Sequence, residues 1–269
     1  MENKDAYKFT NEDAENYDRY LGPVLFEPYG IYLASRIDSR NLSSVIELAC
    51  GTGRVTKHIV NVLPPNVEFW ATDLSSDMIA INKRRVQNDR VKYKVEDIQN
   101  LSFPDNSFDL AICQFGAMFL PDKQKGFNEI YRILKPGGKL MCFTWDSTEK
   151  NPLFKLLINE LMLPYFENED NTRLFVPFLL NDPQQLTGWL DNAGFKDIKV
   201  ETVALNSGAA AVDDIKAGIY LKHPLGKAMK DKSMAAFETV GQKLGEEIEK
   251  RFGADASFQQ SALLTVGVK

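Results

Sequence analysis

The sequence has no long apolar run. No hydrophobic stretch approaches the roughly 20 residues that cross a bilayer. Met1-Glu2-Asn3-Lys4-Asp5 has no apolar segment behind it, which argues against a secretory signal. Positive charge is also short. Thirty-two Lys and Arg against 37 Asp and Glu leave a formal charge of −5, which argues against a general affinity for nucleic acid. There are only two histidines, His58 and His223, and three cysteines, Cys50, Cys113 and Cys142. No cysteine pair has metal-ligand spacing. Each lies in an apolar run and fits a buried thiol in a reducing cytoplasm. The scarcities set the expectations of no metal, no membrane, no nucleic-acid partner and a cytoplasmic location.

What is there is a globular chain of 269 residues, 44% of them hydrophobic. The first forty residues are rich in aromatics. Tyr17, Tyr20, Leu21, Leu25 and Phe26 are spaced as on one helix face, and Tyr7, Phe9 and Phe26 read as packing. From residue 44 strands and helices alternate. Strands are expected at 44–49, 67–72, 91–95, 108–113 and 139–145. Helices are expected at about 54–63, 75–86 and 123–134. That order argues for a parallel α/β sheet. An apolar helix is expected over 152–166. Another opens at Asp182-Pro183 and ends at Gly194. A strand at 198–205, a mostly helical stretch at 211–252 and a strand at 261–268 complete the chain.

Glu47-Leu48-Ala49-Cys50-Gly51-Thr52-Gly53 falls at a strand-to-helix turn. Backbone amides converge there, and glycines allow a ligand close to the chain. Asp73 follows at the end of the next strand, where a carboxylate can accept from both hydroxyls of a ribose. These features fit any nucleoside-type cofactor. A dinucleotide site prefers G-x-G-x-x-G or A, and here the third small position is Thr56. That weakens an NAD-dependent oxidoreductase but leaves it open.

Three further segments narrow the choice. They are Glu96-Asp97-Ile98, Leu101-Ser102-Phe103-Pro104-Asp105-Asn106-Ser107-Phe108-Asp109, and Leu134-Lys135-Pro136-Gly137-Gly138-Lys139-Leu140. In this order and spacing, residues 40 to 146 resemble the class I S-adenosylmethionine-dependent methyltransferases, the group with the ubiquinone and menaquinone biosynthesis enzymes. The resemblance implies a doubly wound, Rossmann-like α/β fold with a seven-stranded sheet, its last strand antiparallel. It implies a single domain over 1–269. Residues 1–40 would form an N-terminal helical cap and 41–146 a cofactor-binding core. Segments 147–180 and 208–256 would be helical insertions forming a lid.

The resemblance also assigns residues. Glu47, Ala49, Gly51 and Gly53 match the loop that holds the methionine part of S-adenosyl-L-methionine, with Ala49 where the family usually has Gly. Asp73 matches the ribose-binding acid. Leu74 and Met78 would pack on the adenine, with Asp97 and the Ile98 amide bonding its edge. Gln114 lies where the chain passes the methyl donor, and Tyr20 belongs to the segment that folds over the cofactor. Tyr17, Tyr20, Phe115 and Trp145 are candidates for an aromatic substrate pocket. His223, in the lid, is the candidate general base. Cys113-Gln114-Phe115-Gly116-Ala117 stands where nucleobase-amine methyltransferases carry Asn or Asp before Pro-Pro-Tyr or Phe. The implied activity is methyl transfer to a small-molecule acceptor. A catalytically inactive binder of the same cofactor is the other alternative.

Overall fold

A computed structural model describes residues 11–167 and 169–269 of the chain; Tyr7 and Phe9 lie outside them. The parallel strands follow the apolar runs. They are β1 (Ser44–Leu48), β2 (Glu68–Asp73), β3 (Val91–Val95), β4 (Phe108–Gln114) and β5 (Leu134–Trp145). After them come β6 (Lys196–Asn206), β7 (Ala210–Ala211), β8 (Asp255–Ala256) and β9 (Gln259–Val268). Seven form one sheet in the order β3-β2-β1-β4-β5-β9-β6. β9 runs antiparallel to both neighbours, β5 and β6. The central β1 is buried along its whole length, as expected of a strand covered on both faces. The switch between β1 and β4 opens a crevice at the carboxyl ends of the strands, where ligands bind in such sheets.

The helices before the antiparallel strands are α1 (Asn11–Asn16), α2 (Glu27–Ser35), α3 (Thr56–Val62), α4 (Ser76–Val86), α5 (Lys123–Ile133), α6 (Pro152–Phe154) and α7 (Pro183–Ala193). Side chains fix several of their ends. Ser75 accepts from the Met78 amide, Asp122 from Lys125, and Asp182 from Gln184, which satisfies amides left orphan at a first turn. Gly194 closes α7 at φ 106°.

Two stretches differ from the sequence expectation. β5 begins at Leu134 rather than Lys139, because Lys135-Pro136-Gly137-Gly138 loops out within it. Its register jumps from Phe108–Leu134 to Leu110–Lys139, and Gly137 sits at φ 80°. The stretch before β9 is broken into α8 (Val212–Lys216), a π-helical turn (Ala217–Leu221), α9 (Pro224–Lys232) and α10 (Met234–Phe252). Pairing of β7 with β8 ties its two ends together.

The segment Tyr17–Phe26 is π-helical. It lies across the carboxyl edge of the sheet. The Val24 carbonyl accepts from the Gly208 amide at 2.9 Å, and the Phe26 carbonyl accepts from Gln114 Nε2 at 3.1 Å. Lys222 of the insertion lies over the Tyr20 ring at 5.2 Å. The order from the sheet outward is therefore sheet edge, N-terminal segment, insertion.

Candidate active site

The loop after β1 owes its shape to three left-handed residues, Ala49 (φ 51°), Gly51 (φ 53°) and Gly53 (φ 86°). Gly51 opens onto free space, since a Cβ there would meet nothing within 4 Å. Gly53 backs onto Asn82, which leaves no room for a side chain. Asp73 braces the loop. Its Oδ2 accepts from the Gly51 amide at 2.8 Å and its Oδ1 from the Ser75 amide at 2.9 Å. Each oxygen keeps acceptor capacity for a ligand hydroxyl. Burial raises the Asp73 carboxyl above its ordinary range, against the pull of these amides.

Glu47 is buried in β1 at the end of a hydrogen-bonded chain. Tyr93 Oη donates to Asn82 Oδ1 at 3.0 Å, Asn82 Nδ2 to Thr56 Oγ1 at 2.8 Å, and Thr56 Oγ1 to Glu47 Oε2 at 2.7 Å. Burial pushes the Glu47 carboxyl up to about 8; the Thr56 bond opposes this and the nearby Asp73 charge adds to it. Such an acid is poised for a cation that would favour its charged form. In the same loop Thr52 Oγ1 is buried and has no hydrogen-bond partner among the described residues.

Leu74 is 70% exposed and Val95, beside Asp73 in the register of β2 and β3, is 53% exposed. Together they leave an apolar edge, of which the sequence reading named only Leu74. Met78 is buried with Ala14 and Ile81, against Tyr17. Asp97 Oδ1 accepts from the Gln99 amide at 2.9 Å, and Ile98 is buried near Gly126. Gln114 Oε1 is buried without a partner among the described residues.

Beyond Gln114 the aromatics converge. Phe115, at φ 57°, stacks on Trp145 with centroids 4.0 Å apart. Phe26 lies 6.0 Å from Trp145 and stacks on Tyr17 at 4.8 Å. Tyr17 sits beside Asp73; burial and that charge raise its phenol well above the ordinary value. Tyr20 is placed elsewhere, with Arg19 and Lys222 over its ring and Gly218 against it. His223 is the N-cap of α9, its Nδ1 accepting from the Leu225 amide at 3.2 Å. His58 pairs with Glu27 at 2.7 Å. The structure thus brings Glu47, Ala49, Gly51, Gly53, Asp73 and Gln114 to one crevice, whereas Tyr20 and His223 fall between the N-terminal segment and the insertion.

A clamp not expected from the sequence joins the N-terminal segment to the glycine loop. Asp18 pairs with both Arg54 and Arg85. Arg54 Nη2 also donates to the Asp18 carbonyl at 2.7 Å, and Arg85 Nε to the Thr52 carbonyl at 3.0 Å. Glu27 receives Arg54, Lys57 and His58. Burial works to raise the Glu27 carboxyl, yet the bonds from His58 and Lys57 hold it down at about 2. Six charged or polar groups thereby lock the N-terminal segment onto the glycine loop. Arg54 directly after Gly53 was the available signal.

The methyltransferase domain family matches residues 46–142. Among curated proteins, the demethylmenaquinone methyltransferase of Lactiplantibacillus plantarum is 31% identical over 219 residues, covering 74% of this chain and 90% of that protein. The chain belongs to the class I S-adenosylmethionine-dependent methyltransferases of the ubiquinone/menaquinone type. The ubiquinone/menaquinone biosynthesis C-methyltransferase UbiE of Pasteurella multocida is 32% identical over 150 residues, covering 53% of this chain and 56% of that one. The fold recurs in phosphoethanolamine N-methyltransferase 2 of Haemonchus contortus at 18% identity and a TM-score of 0.60. That match covers 98% of this chain, which spans 58% of the longer protein. YcgJ of Bacillus subtilis shares the fold at 17% identity and a TM-score of 0.57, covering 90% of this chain and 98% of that one.

The methyltransferase uses S-adenosylmethionine to methylate a small molecule. Its crevice fits that cofactor on its own terms, with open space at Gly51, a braced carboxylate with acceptor capacity at Asp73, and a buried acid and an orphan hydroxyl at Glu47 and Thr52. Among the described residues no helix is long and apolar enough to cross a membrane. No group of three or more His, Cys, Asp or Glu is placed there to hold a metal ion.

Proposed function

We propose that this methyltransferase acts on an apolar ring compound, as demethylmenaquinone is for the relative named above, seated against Phe115 and Trp145. The observation that carries the reading is the Phe115–Trp145 stack at 4.0 Å, immediately beyond the last residue of β4. A left-handed backbone at a bulky residue costs on the order of 1–3 kcal/mol and persists where the surroundings hold it. Here it turns the Phe115 ring onto Trp145 at the edge where the methyl donor must lie.

In this reading Gly51, Gly53 and Ala49 shape the loop for the methionine part, and Glu47 holds its positive charge. Asp73 takes the ribose, Leu74 and Met78 flank the adenine, and Asp97 and Ile98 bind its edge. Gln114 borders the methyl donor, and Tyr20 keeps the N-terminal segment closed over the site. When bound, the cofactor supplies a methyl carbon on a sulfonium and a neutral thioether leaving group. The chain's part is alignment for in-line displacement, which can supply about 7–11 kcal/mol. The aromatic faces favour positive charge near them. With Nδ1 accepting from the Leu225 amide, the neutral His223 ring carries its proton on Nε2, so His223 could take up a proton as a base only by giving up its cap of α9.

One domain does this work, with 1–40 as cap, 41–146 as core and the segments 147–180 and 208–256 as lid. The three cysteines are buried and unbridged, which fits a cytoplasmic setting. The test is transfer of labelled methyl from S-adenosylmethionine to a panel containing a hydroxylated naphthalene ring, phosphoethanolamine and histamine. Transfer to the ring compound is expected. Transfer only to the polar amines would overturn the reading.

A further inference from the structure

Two buried glutamines flank Trp145 on one face of the sheet. Gln114 ends β4 and pairs in register with Phe143. Trp145, two residues on, pairs with Ala262 of β9. Gln260, two residues before Ala262, pairs with Leu205 of β6. Side chains alternate between faces with period two, so Gln114, Phe143, Trp145, Ala262 and Gln260 share a face. All lie at the carboxyl edge, because β9 runs antiparallel and starts where β5 ends.

Both amide heads reach the N-terminal segment. Gln114 Nε2 donates to the Phe26 carbonyl at 3.1 Å. Gln260 Nε2 lies 3.4 and 3.5 Å from the Val24 and Leu25 carbonyls. Those nitrogen contacts fix which end of each amide points at the segment. The oxygens are left over. Gln114 is 8% and Gln260 2% exposed, and the Oε1 of each is buried without a hydrogen-bond partner among the described residues. A buried carboxamide oxygen without a partner is costly. Two of them on either side of one aromatic cluster make a pair of acceptors without donors.

We propose that Gln114 and Gln260 are the polar contacts of the acceptor pocket, their free oxygens taking hydrogen bonds from hydroxyl groups of a ring seated at Trp145. This deepens the aromatic-acceptor reading and rests on it. It makes the two glutamines specificity-determining residues. A ring with an O–H donor is selected over an equally apolar ring without one, because only the first satisfies oxygens that are otherwise buried unpaired.

The test uses the full chain saturated with S-adenosylhomocysteine, titrated calorimetrically with 2-naphthol and with 2-methylnaphthalene, which exchange a hydroxyl for a methyl. The wild type is expected to bind the naphthol about five- to tenfold more tightly. Because the single hydroxyl of 2-naphthol can donate to one oxygen at a time, at least one of Gln260→Met and Gln114→Met should lower that ratio about threefold or more. A purely packing role would weaken both compounds alike and leave the ratio intact, which overturns the proposal. So would equal binding of the two compounds by the wild type, with the aromatic reading still standing. Binding of neither compound, with S-adenosylhomocysteine still bound, overturns both.

Discussion

The Ala49 methyl occupies the space that a side chain on Gly116 would need: a Cβ built on Gly116 collides with the Ala49 Cβ and lies 3.1 Å from Cys113 Sγ. The two residues bring the loop after β1 close against the turn after β4. Ala49 holds a left-handed backbone that glycine would adopt without strain.

This contact predicts coupled substitutions. Gly116→Ala should cost about 2 kcal/mol or more, as overpacking does. Ala49→Gly should stay within about 1 kcal/mol of wild type, relief of strain offsetting the looser unfolded chain. The double variant should recover about 1–2 kcal/mol of the Gly116→Ala loss. Denaturant titration of the four proteins measures the cycle, and strict additivity would refute the contact.

Glu47 predicts an unusual pH dependence. Its folded carboxyl titrates at about 8, against 4.5 for an ordinary Glu. Between those values the folded state binds more protons than the unfolded one, so stability contributed by Glu47 is present below about pH 4.5 and lost as pH rises to about 8. Asp73 is shifted in the same direction. Thermal unfolding of the free protein from pH 5 to pH 8 should show this fall, and Glu47→Gln should flatten it. Binding S-adenosylmethionine at pH 7 should release a proton, read as a dependence of the calorimetric enthalpy on buffer. An enthalpy independent of buffer would contradict the assignment.

Asp18 predicts how tightly the site is closed. It is the shared partner of Arg54 and Arg85, and all three side chains are mostly buried. Asp18→Asn removes the charge from strong, charge-assisted bonds. Amides of Tyr17–Phe26 should then exchange about tenfold faster or more, an opening cheaper by about 1.4 kcal/mol, and S-adenosylhomocysteine should dissociate faster. Unchanged exchange in this segment would show that the clamp does not hold it.

His223 predicts a division between stability and turnover. As the N-cap of α9, its replacement by Ala should cost about 0.5–2 kcal/mol of stability. Turnover of the folded variant should remain near that of wild type. A loss of about a hundredfold or more in kcat would instead establish His223 as the base.

The fold was legible where a local rule decides structure. Strand Val91–Val95 was read to the residue, and Asp182, Pro183 and Gly194 marked α7 because caps and stops act within a few residues. The seven strands and the reversed last one came from the family resemblance, whereas the strand order had no sequence signal, since no local pattern encodes which strands pair. Lys135-Pro136-Gly137-Gly138 was legible as a turn, but its insertion inside β5 depends on pairing with Phe108 across the sheet. At the site, Asp73 and the glycine loop were legible because their spacing is tied to a strand-to-helix turn. Tyr20 was read as a cofactor contact from its place in the chain, whereas its ring meets Lys222, two hundred residues on. Gln260 carried no sequence signal, as its meaning lies in which face of β9 it occupies and in a carbonyl of Leu25.

The central claim is that the loop braced by Asp73 binds S-adenosylmethionine. The most direct measurement is calorimetric titration of the wild type and of Asp73→Asn with S-adenosylhomocysteine, with NAD as control. Asn at 73 can still accept from the Gly51 or Ser75 amide but loses the charge and one acceptor oxygen. The wild type should bind on the order of micromolar and ignore NAD, and the folded variant should bind about tenfold or more weakly. Equal affinity of the two proteins, or binding of NAD in place of S-adenosylhomocysteine, would contradict it.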